Sequence, residues 1–298
     1  MSQSCIVILT ESRYENPTVD NAYIRNLLCE DNLLASLLEQ RGLPARRIDW
    51  ARADFDWSTA TAAVFRSTWD YFDRFAEFSA WLARVTPLMP LINPAPLITW
   101  NCNKRYLIDL EHRGVPIVPT RLLTRGSRQS LAGLLAEVTA GEGVLKPAVS
   151  GAARHTYRLN AANVAQHEAV FAELIAAEDM LLQPFQPSVL SEGELSLVVI
   201  AGRFTHAVRK IGKPGDFRVQ DDHGGVVYPH VATADEIELA ERAVAACHPT
   251  PAYARVDLVH NTDGNSVVME LELVEPELFF RFEASAADKL ADEIVERL

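Results

Sequence analysis

The sequence has few cysteines, and they are not arranged in pairs. Cys5, Cys29, Cys102 and Cys247 are scattered along the chain without a Cys-x-x-Cys spacing. Zinc knuckles and redox-active pairs use such close spacings, so the sequence favours neither. We therefore expect a protein of a reducing compartment, the cytoplasm.

Positive charge is also scarce. The 298 residues include 40 acidic but only 28 basic side chains, which gives a formal net charge of −12. A surface that binds nucleic acid or an anionic membrane has to neutralise phosphates and needs the opposite balance. We predict no nucleic-acid partner, while a local cationic pocket stays compatible with the composition.

Long apolar runs are absent from the sequence. No run approaches the roughly 18 residues that cross a bilayer, and the first residues do not place a cationic segment before an apolar one. We expect neither a membrane partner nor export. With 48% hydrophobic and 23% charged residues, the chain can bury full cores, and its length favours two to three structural units.

The first ninety-odd residues alternate short apolar runs with helical patterns. This alternation is typical of an open, mostly parallel α/β sheet. The predicted strands cover 6–9, 46–50, 62–65 and 91–92, and the predicted helices cover 19–41 and 75–85. The proline-containing segment 93–96 ends the pattern, so we predict a first domain over 1–95.

The rest of the chain predicts two α+β units, over 96–187 and 188–298. The second has longer strands in two hairpins, which indicate an antiparallel sheet, and we expect the final helix to pack on it. The predicted helices are 103–112, 130–139, 162–177, 234–246 and 284–298, and the predicted strands are 143–146, 155–159, 180–184, 194–201, 204–211, 253–259 and 266–274.

Two carboxylates alternate along the predicted strand 266–274. Residues two apart on a strand share a face, so Glu270 and Glu272 should lie side by side, with Asp257 on the neighbouring strand. Anions this close are stabilised by a shared divalent cation, and magnesium prefers oxygen ligands. The alternative is the solvent face of an ordinary amphipathic strand.

Lysine is used sparingly and late in the chain. Only five of the basic residues are lysines, and none precedes position 104. Lys146 ends an apolar strand before a loop of small residues, an arrangement that can bind phosphate. Lys104 begins a predicted helix, where a nearby anion would offset the unfavourable dipole. Each lysine alone is equally compatible with a solvated surface charge.

A polar and aromatic segment follows the third predicted strand. Because open α/β sheets bind ligands at strand ends, Arg66, Trp69 and Asp70 are candidates for binding an amino-acid-like substrate. The alternative is a salt bridge of Asp70 with an arginine, and packing of Trp69 and Tyr71 between domains.

The order of these features resembles the ATP-grasp superfamily from about Asn93 to the C-terminus. The N-terminal part looks like the pre-ATP-grasp domain, and the chain is most similar to the D-cycloserine-forming cyclo-ligases, beside glutathione synthetase and the ribosomal-protein-modifying glutamate ligases. The similarity is carried by Arg66-Ser67-Thr68-Trp69-Asp70-Tyr71, residues 100–107, the two lysines, Gln183-Pro184-Phe185, Gly215-Asp216-Phe217-Arg218-Val219-Gln220, Arg255-Val256-Asp257 and Glu270-Leu271-Glu272.

The resemblance implies a mixed α/β fold, in which a Rossmann-like N-terminal domain precedes two α+β subdomains that clamp ATP. It implies ATP phosphate contacts from Lys104, Lys146 and Lys210, and a ribose contact from Glu194. The adenine would meet a hinge of Gln183, Pro184, Phe185 and Gln186.

The resemblance also assigns the metal and the reacting groups. Asp257, Glu270 and Glu272 would hold two magnesium ions, which manganese could replace. Arg218 and Arg255 would hold the carboxylate being activated or the transferred phosphoryl group.

Three departures from the family pattern stand out in the sequence. Glu272 occupies a position that usually carries asparagine, and the loop 150–153 has one glycine where a glycine-rich lid is usual. Residues 273–281 replace the small-residue substrate loop of glutathione synthetase, which makes a glutathione-like substrate unsuitable.

These features predict a magnesium- and ATP-dependent carboxylate–amine ligase that acts on an amino-acid-like small molecule through an acyl phosphate. An amine of the same molecule would give a ring, and an amine of a second molecule would give an amide or peptide. The alternatives are a kinase that stops after phosphoryl transfer and a non-catalytic nucleotide-binding regulator. The sequence leaves the oligomeric state open, with a homodimer as one alternative.

Overall fold

The computed structural model describes residues 4–213, 217–219 and 224–298, which form three sheets with helices packed around them. The strands are β1 Cys5–Thr10, β2 Ala45–Asp49, β3 Ala60–Ser67, β4 Leu91–Ile92, β5 Arg121–Leu123, β6 Glu142–Pro147, β7 Tyr157–Asn160, β8 Met180–Pro184, β9 Glu194–Ile200, β10 Arg203–Ile211, β11 Val226–His230, β12 Tyr253–His260 and β13 Ser266–Glu272.

The described residues also form ten α-helices and a 3-10 turn at Trp57–Thr59. The helices are α1 Ser12–Glu15, α2 Ala22–Gln40, α3 Phe75–Val85, α4 Ala95–Asn101, α5 Tyr106–His112, α6 Leu131–Val138, α7 Val164–Ala177, α8 Ser188–Ser191, α9 Ala234–Ala245 and α10 Ala284–Glu296.

The N-terminal sheet has the order β2-β1-β3-β4, and all its strands are parallel. Every residue of β1 is buried, as expected for a strand covered on both faces. The open parallel sheet expected for the first ninety-odd residues is therefore confirmed.

The other two sheets are antiparallel. The central sheet has the order β5-β8-β6-β7, and helices α6 and α7 share its core. The C-terminal sheet has the order β11-β10-β9-β12-β13. The two predicted hairpins are confirmed as β9-β10 and β12-β13.

Helix packing joins the parts of the chain. Buried residues of α4, α5 and α9 share a core with the C-terminal sheet, although α4 and α5 belong to the predicted unit 96–187. The final helix α10 packs against β9, as expected, and also against α2 of the N-terminal part. The predicted domain boundaries stay a prediction.

Several elements were not predicted from the sequence, among them α1, α8 and the 3-10 turn, which are only three or four residues long. Helix α4 begins at Ala95, within a segment expected only to end the first unit, because Pro96 fits the first turn of a helix, where no N–H partner is needed. Strands β5 and β11 are short, outermost strands of their sheets, so they lack a clear alternation of apolar residues. Within the described ranges, no helix is long and apolar enough to cross a membrane.

Candidate active site

A cavity of about 610 Å³ is lined by residues of all three parts of the chain. Tyr14 and Trp69 come from the N-terminal part, Lys146 and Phe185 from the central sheet, and Asp257 from the C-terminal sheet. Every metal, ATP and catalytic residue predicted from the sequence lines this cavity.

Three carboxylates lie together at one side of the cavity. Asp257 on β12 is paired in register with Glu270 on β13, and Glu272 follows two residues later. Each of the three side chains offers an oxygen, and these oxygens lie within 4.8 Å of one another. A cluster made only of oxygen donors fits a hard divalent cation such as magnesium.

Asp257 is the most strongly paired member of this carboxylate cluster. Arg255 donates to its two oxygens at 2.9 Å each, Ser196 donates at 2.6 Å, and Lys210 lies 3.1 Å away. Burial alone would raise the pKa of Asp257, but Arg255 and Lys210 outweigh it and hold the pKa well below its ordinary value. Asp257 therefore stays ionised and ready to bind a cation.

The other two carboxylates differ in their protonation. Glu270 is ion-paired with Lys104. Burial would raise its pKa, but Lys104 and Lys146 lower it below the ordinary value. Glu272 is ion-paired with Arg255, yet burial, with the nearby charge of Glu270, raises its pKa to about 7. Glu272 is therefore the member of the cluster whose protonation a bound cation would change most.

Lys146 stands at the cavity with no anionic partner among the described residues. It lies near the end of β6 and is only 9% exposed. Burial lowers its pKa to about 8, against the opposing charge of Glu270. A buried ammonium without a partner is costly, so a bound anion would stabilise it.

Lys210 and Glu194 form a second charged pair in the cavity. They are cross-strand partners on β10 and β9 and are ion-paired with each other. Burial raises the pKa of Glu194 despite Lys210. For Lys210, burial would lower the pKa, but the charges of Asp257 and Glu194 raise it.

The predicted hinge forms the end of β8 and the residues after it. Gln183 donates to Thr120 at 2.8 Å, so its amide is already engaged. Phe185 carries the guanidinium of Arg158 over its ring at 3.8 Å. The carbonyl oxygen of the Gln186 side chain is buried without a hydrogen-bond partner among the described residues, and Gln186 lines the cavity. This oxygen can accept a hydrogen bond from an amino group of a ligand.

Arg218 and its neighbours Phe217 and Val219 also line the cavity. Gly215, Asp216 and Gln220 of the same sequence motif lie outside the described residues.

The three residues predicted to bind substrate are separated by the structure. Trp69 lines the cavity, but Arg66 and Asp70 are not among the described residues that line it. Arg66 is buried in an ion pair with Glu30. Asp70 accepts hydrogen bonds from Trp50 and Arg74, both at 2.7 Å. Asp70 therefore makes the salt bridge that the sequence left open, with Arg74, and the substrate contacts predicted for Arg66, Trp69 and Asp70 stay a prediction.

Comparison with known proteins identifies the family. The sequence profile of the N-terminal domain of D-cycloserine synthetase DcsG matches residues 6–93. The cycloserine biosynthesis protein DcsG of Streptomyces lavendulae is 35% identical over 278 residues, which cover 86% of this chain and 90% of that protein. The chain belongs to the DcsG family.

Solved structures give the fold of this DcsG-family protein. The crystal structure of D-cycloserine synthetase DcsG is 31% identical with a TM-score of 0.84, over 98% of this chain and 99% of that one. D-alanine–D-alanine ligase from Bacillus anthracis is 16% identical with a TM-score of 0.66, over 98% and 96%. The resemblance stated from the sequence is thereby confirmed: the protein has the ATP-grasp fold and is a ligase.

Several cavity residues of this DcsG-family ligase were missed by the sequence reasoning. Tyr14 and Tyr23 follow the carboxyl end of β1, where ligands of open α/β sheets bind, and this position could have indicated them. Glu275, Glu277 and Phe279 come from the segment that was noted only as a departure from glutathione synthetase. That segment carries no periodic pattern that would have indicated its place.

The loop after β6 closes one side of the cavity. Gly151 packs so closely on Phe72 that an added Cβ would lie 2.4 Å from the ring. Arg154 lies 3.5 Å from Asp73 of the N-terminal part and 2.8 Å from Glu178. The single glycine of this family member's loop therefore serves close packing between two parts of the chain.

Proposed function

We propose that the protein is a magnesium- and ATP-dependent carboxylate–amine ligase that closes a ring within one amino-acid-like molecule. The observation that carries the proposal is that three clustered carboxylates share one cavity with Lys146, which has no anionic partner among the described residues. The family relationship supports the cyclising reaction, because the relative of solved structure is named D-cycloserine synthetase.

The reaction needs activation of the carboxylate, whose oxygen is a poor leaving group. Transfer of the γ-phosphoryl group of ATP gives an acyl phosphate and ADP. The amine nitrogen then attacks the carbonyl carbon, the amine loses a proton, and inorganic phosphate leaves. Most of the catalysis is therefore positioning and neutralisation of charge in a site closed from water.

The phosphates of ATP are assigned to the three lysines. Lys146 is buried with no anionic partner in the part of the chain that the structure describes, and Lys104 and Lys210 lie beside the carboxylate cluster. Arg218 and Arg255 are assigned to the carboxylate being activated, since a planar guanidinium can hold two oxygens at once. Arg255 now forms ion pairs with Asp257 and Glu272. When these ion pairs break, Arg255 becomes free to bind the substrate carboxylate.

Asp257, Glu270 and Glu272 are assigned to two magnesium ions, and we expect manganese to replace magnesium. Bound there, the ions would neutralise the charge that develops on the β- and γ-phosphates. Glu272, in place of the usual asparagine, adds a negative charge to the ligand set.

The nucleoside is assigned to the hinge side of the cavity. The side-chain oxygen of Gln186, which has no hydrogen-bond partner among the described residues, can accept a hydrogen bond from the amino group of adenine. Phe185 and Pro184 line the same side of the cavity. Glu194 is assigned to the ribose, because its carboxylate can accept hydrogen bonds from the ribose hydroxyls.

The proposed substrate follows from the chemistry of the product that the relative is named for. Opening the ring amide of D-cycloserine with water gives O-amino-D-serine, which carries a carboxylate and a terminal aminooxy group. We assign O-amino-D-serine or a close analogue to this chain as well.

The test is release of ADP with ATP and magnesium across O-amino-D-serine, other amino acids and dipeptides, with mass spectrometry of each mixture. A phosphate-free ring from O-amino-D-serine is the expected product, and Lys146→Ala should abolish it. An amide that joins two molecules would show intermolecular ligation, and a stable phosphorylated product would show a kinase. ATP binding without any turnover would favour a regulator.

A further inference from the structure

One carboxylate in the cavity differs from all the others. The acidic residues that line the cavity and have a cationic partner are Asp73, Glu194, Asp257, Glu270, Glu272 and Glu277. For Glu275, no hydrogen bond or ion pair of the carboxylate is found within the described part of the chain. Its backbone carbonyl, by contrast, is fixed by the indole N–H of Trp69 at 2.9 Å.

The surroundings of Glu275 make this isolation unfavourable. Burial, and then the charge of Glu272, raise its pKa well above the ordinary value. A buried carboxylate without a partner carries a large desolvation cost. A ligand that brings a positive charge to this position would remove that cost, whereas the anionic phosphates of ATP would increase it.

The indole that holds the backbone of Glu275 belongs to an aromatic cluster. The ring of Trp69 lies 5.5 Å from that of Tyr14 and 5.9 Å from that of Tyr23, measured between centroids. All three line the cavity. Aromatic faces attract ammonium groups, and they exclude water from around a charge pair. The combination of a carboxylate with aromatic walls is suited to an organic ammonium.

We propose that Glu275, whose backbone is held by Trp69 of this aromatic cluster, binds the α-ammonium group of the substrate and makes the enzyme specific for an α-amino acid. The inference rests on the proposed function, and it names the part of the site that recognises the amino group. The substrate carboxylate lies at Arg218 and Arg255, and its α-nitrogen is only one carbon away. Glu275 follows Glu272 by three residues and is therefore at the same side of the cavity.

This contact also decides which nitrogen reacts. An aminooxy nitrogen is a weak base and is neutral near pH 7, so it is a ready nucleophile. The α-amine is protonated near pH 7, and a carboxylate partner keeps it protonated and unreactive. Glu275 thereby directs the acyl phosphate to ring closure by the terminal nitrogen instead of reaction with the α-amine of a second molecule.

The kinetic test compares O-amino-D-serine with 3-aminooxypropanoate, which lacks only the α-amino group. Wild type should prefer the amino acid by at least roughly 100-fold in kcat/KM, because the bound analogue leaves the buried carboxyl group of Glu275 without a partner. Glu275→Gln should lose most of this preference, mainly by slower reaction of the amino acid, with the KM for ATP unchanged. Glu277→Gln is the matched control, since Glu277 already has Arg281 as a partner, and it should keep the preference.

An equal loss of kcat/KM with both substrates in Glu275→Gln would overturn the proposal, and so would an unchanged preference. A binding experiment keeps the inference testable if no ring forms. Calorimetry with ADP and magnesium present should show that wild type binds D-serine better than 3-hydroxypropanoate and that Glu275→Gln does not. Equal binding of the two acids by wild type would exclude the proposed ammonium site, whether or not the ligase activity is found.

Discussion

If Lys146 binds the phosphates of ATP as proposed, its buried ammonium makes ATP binding depend on pH. Its pKa of about 8 without ligand means that the side chain is charged below pH 8 and neutral above it. Bound phosphates favour the charged form and raise this pKa. We therefore expect ATP affinity to fall as the pH rises above about 8, and proton uptake on binding near pH 8.

Calorimetry of ATP binding in buffers of different ionisation enthalpy measures this uptake. Lys146→Ala should weaken ATP binding more than it weakens binding of the amino-acid substrate, and it should abolish the uptake. Lys146→Arg keeps a charge that does not titrate in this range, so its affinity should change little between pH 7 and 9. Equal nucleotide affinity of wild type and Lys146→Ala would exclude the phosphate contact.

Glu270→Gln tests the carboxylate cluster with a change of charge but little change of shape. The variant should fold, yet it should need at least roughly tenfold more magnesium for half-maximal activity, since even loss of an outer-shell partner weakens metal sites by about 10–100-fold. A magnesium titration of ADP release measures this. Glu137→Gln, a surface residue paired with Arg121, should titrate like wild type. A shared titration curve for Glu270→Gln and wild type would mean that the metal binds elsewhere.

Elements with a strong local pattern were predicted from the sequence, and those that depend on distant contacts were not. Helix α3 and strands β4 and β8 have the predicted bounds because apolar spacing and polar ends coincide there. Strand β5 is three residues long and is stabilised through pairing with β8. Its own residues carry too little pattern to predict it.

The segment 275–281 of the site also depends on distant contacts and could not be predicted from its own sequence. It has no helix or strand, and its backbone is held from afar: Glu30 on α2 accepts hydrogen bonds from the N–H groups of Leu278 at 2.9 Å and Phe280 at 3.2 Å. Glu30 is also the ion-pair partner of Arg66. Glu30 and the segment that it holds are about 250 residues apart in sequence, so no local pattern indicates this contact.

Glu30→Ala should therefore destabilise the protein and loosen this segment. It leaves the buried Arg66 without its closest partner, and loss of one member of a buried ion pair costs about 3–5 kcal/mol. We expect a loss of this size in urea unfolding, and a larger rise in KM for the amino acid than for ATP. Glu39→Ala, at an exposed position of the same helix, is the control. A stability equal to that of wild type would show that Glu30 does not hold the segment.

At the scale of the whole molecule, the site is where separate parts of the chain meet. The sequence indicated the carboxylates and lysines because each lies on or next to a recognisable strand or helix, and the structure brings them together. Glu275 could not be placed in the same way, because its position depends on how the N-terminal part packs against the C-terminal sheet, whereas Tyr14 and Tyr23 were indicated only by the end of β1. For the same reason Arg66, at the end of a predicted strand, proved to be buried against α2.

Packing between parts of the chain also fixes the loop after β6, which lines the cavity. Gly151 of the loop after β6 lies against Phe72, and a methyl group there would come within 2.4 Å of the ring. Gly151→Ala must therefore push the loop away from the N-terminal part and separate Arg154 from Asp73. Overpacking of this kind costs about 1–3 kcal/mol, which corresponds to a rise of roughly 5- to 150-fold in KM for ATP if the loop has to close for binding.

The partner residue supplies the decisive control for this closure. Phe72→Leu removes the ring atoms that the new methyl group would meet, so the double variant should regain most of the ATP affinity that Gly151→Ala loses. Steady-state kinetics of the two single variants and the double variant give the coupling between the positions. Additive effects would show that alanine acts on the loop backbone alone. A coupled recovery would show that docking of this loop on the N-terminal part controls access to the nucleotide, because only the contact between Gly151 and Phe72 is relieved.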